Sequence, residues 1–416
     1  MYKPKIMINT TSKRYAWLIV IFLWVVAFLN YFDRLLMTSM RDPILSEFQL
    51  NDAQFGLLTA VFLWCYGIVS PFGGYMADRY SRRKVILFSV FVWSAVTLWT
   101  GYARSFPELL LTRVLMGVSE ACYIPAALAL ISDYHSGRTR SLATGLHMCG
   151  LYTGMAMGGL GGYIAEYWGW RQGFHVFGLF GVVYALLLAY TLRDRVVPAA
   201  PNEPLPEQRE TVQLKAILQS LFRLPSFYVI MIYFAVLGMA NWLINGWLPT
   251  FLKEQFSLDL GQAGISATGY MQIGSFAGVV MGGLLADRWQ RRNKRARLYV
   301  IVLGFALGAP FLFFMAWTHV FTWAILAMLV FGLARGFNDA NLMPLLRQVA
   351  DSRYSATAYG FLNFLSTIVG GLMVYVGGAL KDADVSLAIT YQVVAIGLLL
   401  AALSLLLVKV KNDTIQ

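Results

Sequence analysis

Six ionisable side chains stand inside long apolar stretches of the chain: Asp33, Arg34, Arg113, Glu120, Arg335 and Asp339. One charge at the centre of a bilayer costs roughly 2.5–3.5 kcal/mol on insertion scales, so such residues are retained for pairing or for function. An arginine stays charged, and its planar fork suits a carboxylate held by two bonds. A desolvated carboxylic acid can instead be tuned to load and release protons. Asp33, Glu120, Arg34 and Arg113 in one low-dielectric site would make a proton-coupled binder of anions. A static ion-pair network pinning two helices together is the alternative for the same four residues.

Such residues need membrane-crossing helices to position them. Windows of about 19 residues find apolar spans at 15–40, 55–76, 85–102, 107–133, 142–166, 174–192, 226–251, 263–286, 298–317, 320–346, 357–380 and 387–408, twelve in all. Each is long enough, as a helix, to cross ~30 Å of hydrocarbon. The expected fold class is an all-α membrane protein, with twelve transmembrane helices in two six-helix bundles. Residues 1–192 form one bundle and 226–416 the other, joined by a polar, proline-rich loop at 193–225.

At 1.5 Å per residue, Asp33 lies ~10 Å from the far end of span one, and Arg113 enters span four to a matching depth. That geometry allows a pair between them. Glu120 follows Arg113 by seven residues, nearly two turns, so it shares the face and lies ~10 Å deeper, near the midplane. Arg34 is turned about 100° from Asp33 and is expected to face a cavity.

Composition removes other classes of function. A chain that is 58% hydrophobic and 13% charged, with mean hydropathy +0.61, has no water-soluble surface. Its spans are too long for the alternating strands of a β-barrel. The net charge of +12 could suggest nucleic acid, but its distribution is that of membrane topology. With both termini on one side, that side receives 25 of the 33 Lys and Arg; the other holds Arg41, Arg104, Arg171, Lys253 and Lys381. This bias predicts cytoplasmic termini in a multi-pass protein of the bacterial inner (plasma) membrane, with the lipid bilayer and not nucleic acid as partner.

Cys65, Cys122 and Cys149 lie within apolar runs, and the four histidines are scattered without HExxH spacing. Neither a metal site, nor an enzyme, nor an ATP-driven pump is expected, since the chain also lacks a Walker lysine motif. No cofactor is called for beyond a proton gradient, and the protein is expected to be a monomer.

An internal repeat supports two related halves. GGYMADRYSRRK, Gly73 to Lys84, follows span two, and GGLLADRWQRRNKR, Gly282 to Arg295, follows span eight. This doubled G-x-x-x-D-R-x-G-R-R/K pattern resembles the signature of the major facilitator superfamily over the whole chain. Both copies depart at the inner glycine, where Ser81 and Gln290 stand, which implies a looser turn. The resemblance implies a conformational latch between the halves made by Asp78, Arg79, Arg82, Asp287 and Arg288.

Five further words resemble the anion:cation symporter branch, with its sugar-acid and sialin-like carriers. They are NYFDR (Asn30–Arg34), RVLMGVSEACYIPAA (Arg113–Ala127), GLYTG (Gly150–Gly154), GWRQGF (Gly169–Phe174) and WLPTFL (Trp247–Leu252). The resemblance implies that Arg34 grips a substrate carboxylate and that Asp33 and Glu120 carry coupling protons, tuned by Arg113. Tyr31 and Tyr66 match aromatic positions lining the cavity. Leu151 stands where sugar-acid carriers often place Gln, so the polyol contacts are not matched. Spinster-like transporters of lysolipids or other amphiphiles share the four charges and are the near alternative.

Among weaker signals, Trp242 and Asn363 are the best further candidates for substrate contact. Asn241, Asn245, Gln272, Asn338 and Asn341 serve equally well as interhelical glue. Arg335 and Asp339, four residues apart, read as a local pair or gate, and His147 as a packing residue. The expected function is proton-coupled symport of a small organic anion, a sugar acid or sialic acid type, by alternating access.

Overall fold

The computed structural model describes residues 13–135, 139–194, 219–349 and 355–410, and every regular element among them is helical. The expected linker at 193–225 falls largely outside these residues, as do both chain ends. In chain order the first half holds α1 (Lys13–Leu36), α2 (Arg41–Phe48), α3 (Asp52–Arg79), α4 (Arg82–Thr100), α5 (Phe106–Glu120), α6 (Tyr123–Tyr134), α7 (Arg140–Met157), α8 (Gly161–Trp168) and α9 (Trp170–Thr191). The second half holds α10 (Pro225–Phe256), α11 (Leu260–Gln290), α12 (Ala296–Trp317), α13 (Phe321–Val349), α14 (Ser355–Asp382) and α15 (Leu387–Ser404).

Eleven stretches among the described residues are long and apolar enough to cross a membrane, against twelve expected. The missing one is span five, which is divided into α7 and α8 by a 3-10 turn at Gly158–Leu160. Close approach of two backbones accounts for the glycines there. A Cβ on Gly159 would come within 2.1 Å of the Gly264 carbonyl oxygen, and one on Gly162 within 2.2 Å of that of Leu260, both on α11. Only glycine permits such contact.

The packing repeats between halves. α1 lies along α7, α3 along α5 and α4 along α9; in the same order of spans, α10 lies along α14, α11 along α13 and α12 along α15. The halves meet where α3 packs on α14 and where α7 and α8 pack on α11. Both seams are tight, for a Cβ on Gly378 of α14 would sit 2.3 Å from the Asp52 carbonyl oxygen.

At the membrane face opposite the start of α1, charges bind the halves together. Lys253 reaches Asp42 and Lys381 lies 3.8 Å from Asp52 across the seam, while within the halves Arg41 pairs with Asp42 (2.6 Å) and with Asp52, and Lys381 with Glu254 (2.9 Å). The N-terminus of α3, with its Asn51–Gln54 capping box, receives a second anion from across the seam. The Asp382 carboxylate accepts from the backbone N–H groups of Asp52 (2.9 Å) and Ala53 (2.8 Å), the arrangement a helix N-terminus favours. Losing a side-chain cap of this kind costs about 0.5–2 kcal/mol. Asp382→Ala should therefore raise the population parted at this face about 2- to 30-fold. Spin-label distances between positions 49 and 257 would report it, and an unchanged distribution would remove Asp382 from the closure.

The signature residues keep to their own halves. Arg82 pairs with Asp133 and donates to the Ala129 carbonyl (3.3 Å), both on α6. Asp287 pairs with Arg297 at 2.7 Å, on the first turn of α12. The expected cross-half latch is thus not what Arg82 and Asp287 form here, because each has a counter-charge within its own half, Asp133 at the end of α6 and Arg297 across the following loop. Arg79 and Arg288 are exposed, and the Asp78 side chain lies outside the described residues. The turn at Ser81 is held instead by its hydroxyl, which caps α4 by accepting from Lys84 N–H (3.1 Å) and also meets Asp194. Gln290 is the last residue of α11.

Candidate functional site

Glu120 sits at a break in span four. Pro125 near the start of α6 has no N–H for the Ala121 carbonyl, and its ring crowds that oxygen, so α5 stops at Glu120 and α6 begins at Tyr123. α3 rests on the kink through Gly73, where a Cβ would meet the Ala121 carbonyl oxygen at 2.6 Å. α3 also presses on Gly117, one turn earlier on α5, through the Phe62 backbone. The packing leaves the Glu120 carboxylate pointing at the end of α1.

There it meets Arg34. The arginine Nε donates to Glu120 Oε2 at 2.7 Å, with both side chains buried. Asn30 closes the triangle: its Nδ2 donates to the same oxygen (2.9 Å) and its Oδ1 accepts from Arg34 Nη2 (3.0 Å). Asn30 and Arg34 are one turn apart on α1 and so share a face. Three rings surround the guanidinium, Tyr66 at 4.4 Å, Tyr31 at 4.6 Å and Phe62 at 5.1 Å from the ring centroids, a cation–π arrangement that strengthens as water is removed. A small cavity between the halves borders the group, lined by Arg34, Thr38, Thr59, Phe62, Trp242 and Asn245.

Tyr31 and Tyr66 thus flank Arg34, and Trp242 lines the same cavity. No described contact joins Asn363 to the cluster; it is half-buried on α14, and Asn245 of α10 occupies the cavity wall instead. Asn30 was not among the predicted site residues, although its spacing of four from Arg34 is a readable signal.

Two expectations need correction. Arg34 borders a cavity as expected, but it is also the direct partner of Glu120, a place the sequence left to Arg113. Asp33 and Arg113 form no ion pair within 4 Å among the described residues. Asp33 Oδ2 accepts from Thr97 Oγ1 (3.3 Å), and Arg113 Nη2 donates to Thr100 Oγ1 (3.4 Å). Thr97 and Thr100 are neighbours on one face of α4, so they take the bonds that the two charges would otherwise exchange. The charges still sense each other, and both sense Glu120. Asp33 Oδ1, Glu120 Oε1 and Arg113 Nε are buried without a hydrogen-bond partner. Each acid therefore keeps one oxygen open.

His147 is a packing residue, as expected. Its Nε2 lies 3.0 Å from the Tyr123 hydroxyl, which donates to the Leu23 carbonyl (2.8 Å). On α13, Arg335 and Asp339 form a loose pair with Nε–Oδ2 of 3.9 Å.

The profile of the Major Facilitator Superfamily matches residues 23–374. Over 382 residues the chain is 26% identical to the probable sulfoacetate transporter SauU of Cupriavidus necator, covering 88% of this chain and 87% of that one. It is 25% identical over 390 residues to the probable L-galactonate transporter of Escherichia coli, covering 90% and 85%. Spinster homolog 1 of Xenopus tropicalis is 27% identical over 320 residues, 73% of this chain; the match spans only 60% of that protein's length. A solved bacterial homolog of the human lysosomal transporter Spinster, inward-facing and occupied, superposes with a TM-score of 0.79 at 22% identity, covering 95% of this chain and 97% of that one. That likeness shows the fold, the all-helical one which the spans and the repeat predict.

Proposed function

We propose, for a chain that belongs to the major facilitator superfamily and is a membrane transporter rather than an enzyme, proton-coupled symport of a small organic anion by alternating access. The observation that carries this reading is the buried Glu120–Arg34 pair beside a cavity between the halves. Glu120 takes Nε of Arg34 and Asn30 takes Nη2, both of them prongs that an arriving carboxylate would use, so anion and Glu120 carboxylate compete for one guanidinium. Protonation of Glu120 at its open oxygen releases Arg34. The site then carries Arg⁺ with a bound anion and a neutral acid, the same net charge as the empty site with Arg⁺ and Glu⁻. Rearrangement through a low-dielectric state is thereby spared an unpaired charge. Asp33, with its own open oxygen and within electrostatic reach of Arg113, is a second proton carrier.

The charge bias places the start of α1 in the cytoplasm of a bacterial inner-membrane protein. The ion-paired face then closes the outer side, and the bundles at 1–192 and 226–416 rock about the central site. Two relatives are named as probable transporters of sulfoacetate and of L-galactonate, both small organic anions, which supports this substrate class.

The spinster similarity favours a second reading, an amphiphile carrier, and Leu151, buried at a position where a polar group would serve a polyol, agrees with it. A thermal-shift comparison separates them, because a ligand that binds only the native state raises apparent stability. D-galactonate or sulfoacetate should raise the Tm of the detergent-purified protein while lysophosphatidylcholine leaves it in place. A rise with the lysolipid alone would overturn the anion reading.

A further inference from the structure

We infer that Arg335 is a second anion-binding group, on the second half of the molecule, and that the solute is a hydroxylated dianion held by Arg34 at one end and Arg335 at the other. This rests on the organic-anion reading above and narrows its substrate class.

The first observation is a buried cation without acceptors. Arg335 is 7% exposed, and its Nε and Nη1 have no hydrogen-bond partner among the described residues. Nη2 finds only the Met155 sulfur, at 3.9 Å, a weak acceptor. Asp339 is the nearest anion, yet at 3.9 Å it is beyond hydrogen-bond reach of Nε. Asp339 is also engaged elsewhere: Asn338 Nδ2 donates to it at 3.1 Å and the Tyr152 hydroxyl at 3.5 Å. Asn338 is held in turn by the Tyr233 hydroxyl (2.7 Å). The guanidinium is left with most of its five donors unused.

Depth makes this costly. Arg335 lies 14 residues into the 29-residue α13, ~21 Å from its outer end at 1.5 Å per residue, close to mid-membrane. A charge kept there without good partners is completed by something that arrives.

Position makes it a solute site. Met155 and Tyr152 belong to α7 of the first half, so the cluster lies across the seam. Asp339 keeps 28% of its side chain accessible and Tyr359 of α14 is 39% exposed, so the space around them is open. Tyr152 and Met155 stand on α7, which lies along α1, the helix that carries Arg34. Each half therefore presents one guanidinium at the seam, Arg34 from the first and Arg335 from the second, and beside the second is a carboxylate able to accept from a hydroxyl next to the ligand's acidic group.

The test is a matched pair of ligands. D-galactonate and galactarate differ at one terminus, CH2OH against a carboxylate. Binding to the purified full chain should favour galactarate by about tenfold or more, the worth of one charge-assisted fork, and Arg335→Gln should bring the ratio close to one. Should that variant fail to fold, Arg335→Lys decides, with an intermediate ratio expected because an ammonium cannot form the fork. If galactonate binds but wild type shows no preference, or the preference survives either substitution, the second site is overturned and the organic-anion reading stands. If neither acid binds, the dianion proposal falls, and the organic-anion reading falls with it if sulfoacetate also fails to bind.

Discussion

Glu120→Gln is expected to abolish proton-driven accumulation while leaving exchange of labelled for unlabelled solute intact. In the wild type one coupled proton supports about a tenfold concentration ratio per pH unit, since each unit is worth about 1.36 kcal/mol. A permanently neutral Gln keeps a carbonyl oxygen for Arg34 and Asn30 but can neither bind nor give up the proton, so the ratio in proteoliposomes should fall to one. Counterflow at equal pH needs no proton release and should persist. The same substitution removes the direct counter-charge of Arg34, whose guanidinium is then held by the Asn30 carbonyl oxygen and three rings. Breaking a buried pair costs roughly 3–5 kcal/mol when nothing replaces it, so the apo variant should also melt earlier and regain stability with a bound anion. Accumulation at the wild-type level would remove Glu120 from coupling. Loss of both activities would make the pair a structural pin between α1 and the kink of span four.

Arg34→Lys is expected to weaken binding of a carboxylated solute by about 10- to 100-fold, despite the conserved charge. The guanidinium meets Glu120 through Nε and Asn30 through Nη2 at 2.7 and 3.0 Å while lying over three aromatic rings. A lysine has one nitrogen for these places and no plane to stack. Isothermal titration of the purified variant would measure it, and an affinity within twofold of wild type would show that the solute carboxylate binds elsewhere.

Much of this was legible in the chain alone. Hydrocarbon thickness sets the length of a spanning helix, so apolar runs announce spans without any knowledge of their neighbours. Charge asymmetry and the repeated GGYMADR and GGLLADR words announce paired halves. Charges inside spans are costly enough to be conspicuous, which is why Asp33, Arg34, Arg113, Glu120, Arg335 and Asp339 could be picked out. Their partners were another matter. Helical periodicity gives the direction of a side chain on its own helix but not the rotation of that helix against the next. Thr97 and Thr100 are ordinary threonines until α4 is packed beside α1 and α5, where they separate Asp33 from Arg113. Pro125 signals a break, yet only the seating of α3 on that break turns Glu120 towards Arg34. The glycines of span five name no partner by themselves; contact with the α11 backbone makes them a seam, beside the 3-10 turn at Gly158–Leu160. The sequence determined which residues could carry charge through a membrane. Tertiary packing alone decided which met, because contacts of 3 Å depend on helix rotations and crossings that no single span encodes.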